Sequence, residues 1–130
     1  MNRTEQRDHV FKLVFEQEFY DKEELIKQLP LYFEIFPQKE EEAKEVLDKA
    51  NEIISKREEI DNLINEKTTG WKTSRMNKVD LSILRLAVYE ILWDETVPTK
   101  VAINEAVELA KKYSGKEGPS FVNGVLAKFA

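Results

Sequence analysis

The sequence predicts an all-α protein of about seven helices folded as one compact domain, and three observations lead to this fold class. Apolar residues recur at the i, i+3, i+4 spacing of an amphipathic helix through most of the chain. Residues that favour helix caps precede several of these runs. Four glycines and four prolines in 130 residues are also too few for a turn-rich β-protein.

The first predicted helix begins near the N-terminus, where Thr4 can act as its cap, and runs to about residue 19. Asp21 and Glu24 have the spacing of a capping box and open a second helix, which a proline ends. The stretch LYFEIF that follows lies between two prolines. No other segment offers it a partner strand, so we interpret it as a helical turn or connector.

Residues 38–67 form the longest helical pattern in the chain. About 30 residues is long for a helix of a globular protein, and the charged run SKREE at 55–59 indicates a break between two helices. The sequence Thr68-Thr69-Gly70 ends the second of these. Residues 71–76 are expected to form at most one helical turn.

The second half of the chain contains the clearest helix boundaries. Asn77 is a favourable N-cap, Asp80 completes a capping-box spacing, and the apolar helix that follows to about residue 93 should be central. Pro98 suits the first position of the next helix, which Gly115 is expected to end in a left-handed conformation. Pro119 then starts the last helix.

The helix in KVAINEAVELAKKYS, residues 100–114, carries apolar side chains around most of its circumference. A surface helix shows a single apolar stripe, so we expect this one to pack between the central and last helices. If Asn104 is buried there, it needs hydrogen-bond partners, because an unsatisfied amide costs about 1–3 kcal/mol.

Composition and charge exclude several classes of function. The formal net charge of −5 argues against a generic nucleic-acid binder, but residues 68–130 hold 9 basic and 7 acidic side chains, so any nucleic-acid surface must be a local basic patch. No apolar run reaches about 18 residues, and the charged N-terminus does not resemble an export signal. We therefore expect no membrane span and a cytoplasmic location.

Catalytic chemistry has little support in this sequence. The single histidine, His9, has no second histidine beside it, and there is no cysteine to act as nucleophile or ligand. The carboxylates show no metal-ligand spacing, and the glycines near the C-terminus follow no strand, so they form no phosphate-binding loop. We expect no enzyme activity, no metal and no cofactor.

Four segments in order resemble the NusB transcription antitermination factors. They are the lead-in with Trp71 and Arg75, VDLSILRLAVYEIL at 79–92, VPTKVAINEAVELAKKY at 97–113, and FVNGVLAKF at 121–129. The resemblance is close over residues 70–130 and loose over residues 3–20. It implies an all-helical fold of two packed subdomains that acts as a single RNA-binding domain.

The resemblance also implies partners. Members of the family bind a single-stranded RNA element called boxA together with NusE, a small-subunit ribosomal protein, and the complex helps RNA polymerase read through terminators, chiefly in ribosomal RNA operons. The positions that match the family's RNA surface are Arg3, Arg7, Lys12, Arg75, Lys111, Lys112, Lys116 and Phe121. The NusE-facing positions are Phe15, Asp80 and Glu117.

Several of these residues also have a purely structural interpretation. Phe121 either stacks on a base or packs beside Pro119, Lys111 and Lys112 also suit a helix C-terminus, and Asp80 is also the capping-box acid. The N-terminal basic run is sparse, so we expect weak binding to RNA alone. The alternative function is a helical protein-interaction module, or a homodimer, that does not bind RNA directly.

Overall fold

The computed structural model describes residues 1–21, 23, 24, 27, 31 and 40–130. These residues contain six α-helices, one 3-10 turn and no strand, which confirms the all-α prediction. No helix in this part of the chain has the length and apolar character needed to cross a membrane. The helices are α1 (Arg3–Glu16), α2 (Glu40–Ser55), α3 (Arg57–Lys67), α4 (Lys78–Trp93), α5 (Thr99–Tyr113) and α6 (Gly118–Ala127), and the 3-10 turn is Thr73–Arg75.

The chain divides into two helical units, Met1–Ser55 and Lys56–Ala130. In the first unit α1 packs against α2, and most of the buried residues are apolar side chains such as Val10 and Leu13 of α1 and Ile53 of α2. The N-terminal ammonium lies 2.7 Å from Glu42 Oε2, which ties the start of the chain to α2.

The first helix differs from the prediction at both ends. Its N-cap is Asn2, whose side-chain oxygen accepts a hydrogen bond from the Glu5 N–H at 2.8 Å, so the assignment of Thr4 as cap was wrong. Either residue type can cap, but Asn2 fits the three-residue spacing to the N–H of Glu5. The helix ends at Glu16, three residues before the predicted end.

The cap of the predicted second helix is partly described. Asp21 Oδ1 accepts a hydrogen bond from the Glu24 N–H at 2.8 Å, as the capping-box spacing predicts. The apolar residues predicted for that helix and the stretch LYFEIF, apart from Leu31, lie outside the described residues. The break predicted in the SKREE run is confirmed, because α2 ends at Ser55 and α3 begins at Arg57.

In the second unit α4 is central, as predicted. It packs against α3, α5 and α6, and ten of its sixteen residues are buried. Asn77 is its N-cap and accepts hydrogen bonds from the N–H groups of Val79 and Asp80 at 2.8 and 3.4 Å. Arg85, only 1% exposed, forms a bidentate pair with Asp61 of α3 at 2.9 and 2.8 Å, which fixes these two helices in register.

The next helix, α5, is amphipathic rather than apolar all round. Its buried face consists of Leu109 and the alanines 102, 106 and 110, and Asn104 is exposed, so that amide needs no buried partner. Small side chains at every fourth position let α5 lie close to its neighbours. The apolar residues on its other faces, Val101 among them, remain partly or largely in contact with water.

Two boundaries near the C-terminus were predicted wrongly. Pro98 is the N-cap of α5 rather than its first helical residue. At the other end α5 is followed by Ser114 in an extended conformation, and Gly115 does not have a positive φ. The left-handed glycine among the described residues is Gly70, with φ of 86°, in the turn after α3. The reason that α5 ends at Ser114 lies in the contacts of its hydroxyl, described below.

Candidate nucleic-acid and partner interface

The ends of three helices meet at a hydrogen bond between Asp80 and Ser114. Asp80 lies in the first turn of α4, Ser114 follows α5, and the Ser114 hydroxyl donates to Asp80 Oδ1. Gly118, the first residue of α6, lies against the same pair, since a Cβ built on it would be 3.2 Å from Asp80 Oδ1. This contact holds Ser114 extended and thereby ends α5.

The same junction determines how the two predicted acidic partner residues are presented. Asp80 is only 8% exposed, so most of its carboxyl group faces the fold. Glu117 directly precedes α6, is exposed, and makes no side-chain capping hydrogen bond. Of these two acids, Glu117 is therefore the one that a partner can reach without rearrangement.

The predicted basic residues near the junction lie on the surface. Lys111, Lys112 and Lys116 are all exposed. Lys111 Nζ lies 3.1 Å from Glu108 Oε1 of the preceding turn, and Lys112 Nζ lies 5.1 Å from the centroid of the Tyr113 ring. An exposed ion pair such as that of Lys111 is worth about 0–1 kcal/mol, so a phosphate could replace Glu108 at little cost.

Phe121, on the first turns of α6, is half-buried and contacts Trp71. The two ring centroids are 5.5 Å apart with an interplanar angle of 59°, and Trp71 itself is 59% exposed. Neither of the two predicted environments of Phe121 included this tryptophan. Arg75, also exposed, lies four residues after Trp71 in the 3-10 turn.

The predicted basic residues of the first unit are less accessible than those near α6. Arg3 is exposed, but Arg7 is only 6% exposed and its side chain is engaged within the fold. Lys12 Nζ lies 3.1 Å from Asp8 Oδ2, one helical turn away. This arrangement leaves less positive charge available on α1 than the sequence alone suggested.

Phe15, predicted to face the protein partner, is the middle of three phenylalanines in contact, of which Phe11 and Phe15 lie on α1 and Phe19 in the turn that follows it. Its ring stacks on Phe11 at 6.1 Å and meets Phe19 edge-on at 5.2 Å, measured between centroids. Phe19 is 68% exposed and the adjacent Tyr20 is 41% exposed. The sequence reasoning did not single out Phe19, although its i+4 spacing from Phe15 placed both on one helix face.

Side chains that can bind a metal ion are scattered through the described part of the chain. No three Asp, Glu or His side chains there lie close enough to hold a metal ion. His9, half-buried on α1, already has an interaction within the fold. A cleft at the start of α5 is lined by Thr99, Lys100, Ile103, Asn104 and Ala130, none of which has a side-chain carboxylate. Partial burial raises the pKa of the Glu16 carboxyl, but Glu16 is not among the residues of that cleft.

Comparison with known proteins places this arrangement in a family. The model of the NusB family matches residues 4–130. The transcription antitermination protein NusB of Agathobacter rectalis is 54% identical over 131 residues, which is 100% of both chains. T. maritima NusB has the same fold with a TM-score of 0.86 at 32% identity, covering 100% of this chain and 91% of that one. A chain in the crystal structure of a plectonemic RNA supercoil gives a TM-score of 0.83 at 26% identity, covering 98% and 92%.

Proposed function

Since this chain belongs to the NusB family, we propose that it is a transcription antitermination factor that binds boxA-type single-stranded RNA together with NusE. The complex joins the transcription elongation complex and promotes processive transcription, chiefly of ribosomal RNA operons. The chain acts as one NusB-like RNA-binding domain in the cytoplasm and works by binding, without catalysis, metal or cofactor.

The observation that supports RNA binding most directly is the surface around the start of α6. It presents the exposed lysines 111, 112 and 116 together with the aromatic ring of Phe121. Recognition of single-stranded RNA needs cations for the phosphates and aromatic rings for unstacked bases, and this surface offers both. We also assign to the RNA the exposed residues Arg75 of the second unit and Arg3 of the first unit. Arg7 and Lys12 of the first unit belong to the predicted set too, but each has to exchange its present contact within the fold for a phosphate.

The partner contacts that we propose are an acidic group in the second unit and an aromatic group in the first unit. Glu117 offers an exposed carboxylate to a basic ribosomal protein, and Phe15, with Phe19 beside it, offers an aromatic contact. Asp80 supports the Glu117 contact through Ser114, because their hydrogen bond holds the start of α6, next to Glu117.

The proposal is tested by a gel shift with boxA-type RNA in the presence and absence of purified NusE. We expect a weak shift with this protein alone, because Arg7 is buried and Lys12 is paired with Asp8. Addition of NusE should strengthen it. The absence of a NusE-dependent shift at low salt, with protein shown to be folded, would refute the proposal.

A second candidate function is a homodimer or helical protein-interaction module that does not bind RNA directly. The exposed aromatic pair Phe19 and Tyr20 is the observation that favours it, since such side chains are enriched in the cores of protein interfaces. Sedimentation over a range of concentrations tests it. A stable dimer whose formation is unaffected by both RNA and NusE would support this alternative over the first proposal.

A further inference from the structure

Trp71 is an exposed tryptophan that the folding of the second unit does not explain. Its side chain is 59% exposed, and its ring contacts Phe121 of α6 at 5.5 Å between centroids. The other tryptophan, Trp93, is half-buried, stacks on Tyr89 and has Lys56 Nζ 5.1 Å above its ring. Together with Phe121 the Trp71 ring forms a contiguous aromatic patch at the surface. Contiguous apolar patches with polar surroundings mark binding sites, whereas singly exposed apolar side chains do not.

The turn that carries Trp71 is held by several hydrogen bonds. The Thr68 hydroxyl lies 2.7 Å from the Ile64 carbonyl oxygen and 2.5 Å from that of Trp71. The Trp71 N–H donates to the Thr68 carbonyl at 3.1 Å, and the Thr73 N–H donates to Asn65 Oδ1 at 2.8 Å. The exposed ring therefore sits on an ordered turn, so little conformational entropy is lost when a ligand stacks on it.

The charge around Trp71 is opposite in sign to that of the whole protein. Residues 67–78, KTTGWKTSRMNK, hold four basic side chains and no acidic one, whereas the chain has a formal net charge of −5. Those four side chains are all exposed: Lys67, Lys72, Arg75 and Lys78. An apolar ring among cations suits a flat aromatic ligand that carries negative charge on both sides, which describes a base within a phosphate backbone.

We propose that Trp71 is a base-stacking residue of the RNA site, a role that rests on the function proposed above. One nucleobase stacks on the exposed part of the Trp71 ring, and Phe121 supports that ring from the protein side. The neighbouring phosphates are contacted by Lys72 and Arg75. The RNA surface thereby extends from the start of α6 to the turn between α3 and α4.

The proposal is tested by fluorescence anisotropy with a labelled boxA-type RNA of about 12 nucleotides, in the presence of NusE. Trp71→Ala should weaken RNA binding by about 5- to 150-fold, the range that stacking of one base represents. Trp71→Phe keeps a ring, so its loss of affinity, expressed as the logarithm of Kd, should be less than half of the loss caused by Trp71→Ala. Trp93→Phe is the matched control and should bind as the unmodified chain does.

A second measurement separates stacking from a change in the fold. In the Trp93→Phe variant Trp71 is the sole tryptophan, and RNA should quench its fluorescence with the same Kd that anisotropy gives. In a series of RNAs that each lack one base, removal of the base that stacks on Trp71 should abolish the difference in affinity between the unmodified chain and the Trp71→Ala variant.

The ways in which these tests can fail are distinguishable. If the unmodified chain binds RNA but Trp71→Ala binds it equally well, Trp71 is not a stacking residue and the proposed function stands. The same conclusion follows if Trp71→Ala weakens the binding of NusE in the absence of RNA, since the exposed ring then contacts the protein partner. If the unmodified chain binds no RNA even with NusE, both proposals fall.

Discussion

Replacement of Gly118 by alanine tests the junction of the three helix ends most directly. The added Cβ would lie 2.5 Å from Ser114 Cβ, 3.2 Å from Asp80 Oδ1 and closer still to Ser114 Oγ. Overpacking of this kind costs about 1–3 kcal/mol, and loss of the charged hydrogen bond between Ser114 and Asp80 costs about 1.5–3 kcal/mol. Alanine recovers at most about 1 kcal/mol of helix propensity. We therefore expect Gly118→Ala to lower the free energy of unfolding by about 1.5–5 kcal/mol.

The assay is urea unfolding followed by tryptophan fluorescence, because both tryptophans lie in the same unit as Gly118. Gly124→Ala is the matched control. Gly124 lies in the same helix, a Cβ there meets nothing within 4 Å, and we expect a gain of about 0.5–1 kcal/mol. Ser114→Gly removes both of the closest atoms, so in that background Gly118→Ala should cost less than about 1 kcal/mol.

Two outcomes would refute this reasoning about α6. One is a Gly118→Ala chain that is as stable as the unmodified chain. The other is an equal loss from Gly118→Ala and Gly124→Ala, which would assign the effect to helix α6 in general rather than to the contact with Ser114. Because α6 follows directly on Glu117, we also expect Gly118→Ala to weaken NusE binding.

Three further predictions concern side chains away from that contact. Asp80→Ala should lower the free energy of unfolding by about 1.5–3 kcal/mol and weaken NusE binding, whereas Asp80→Asn keeps an acceptor for Ser114 and should retain most of the stability and most of the NusE binding. Loss of NusE binding in Asp80→Asn at unchanged Tm would instead indicate that Asp80 contacts NusE directly. Arg85→Ala leaves the partly buried carboxylate of Asp61 without its partner and should lower the free energy of unfolding in urea by about 3–5 kcal/mol. The double change Arg85→Met with Asp61→Leu should lower it by less, and equal losses would contradict the pairing. Burial raises the pKa of Glu16 above its ordinary value of 4.5, so the folded state binds this proton more tightly than the unfolded state does. The stability of the fold therefore decreases as the pH rises from 4.5 through the folded-state pKa, and the loss is complete above that pKa. Glu16→Gln should therefore be more stable than the unmodified chain at pH 7 and lose that advantage as the pH falls below 4.5, and a gain that persists at low pH would contradict this explanation.

The helices were predictable because their information is local. Periodicity and capping signals within a few residues located α2 to α6 and the break after Ser55. The errors occurred where two local signals compete or where a distant contact decides. Asn2 and Thr4 can both cap, and Gly115 looked like a helix terminator although the contact of Ser114 with Asp80 ends α5.

The candidate site was only partly predictable for the same reason. Exposed lysines near the start of α6 follow from the sequence pattern and the family resemblance. The pairing of Trp71 with Phe121 joins residues 50 positions apart in the chain, and no spacing rule connects them. The burial of Arg7 was equally hidden, because arginine is seldom buried and only tertiary packing places it there.

The alanine face of α5 sets how freely this helix can change its sequence. The alanines 102, 106 and 110 are buried at every fourth position, so any larger side chain there would push a neighbouring helix away. Asn104 and Glu108 point into water and can vary widely at little cost to folding. We therefore expect substitutions to be tolerated on the outer surface of α5 and not on its inner face, where the volume beneath the helix, rather than any chemistry of its side chains, limits the choice of residue.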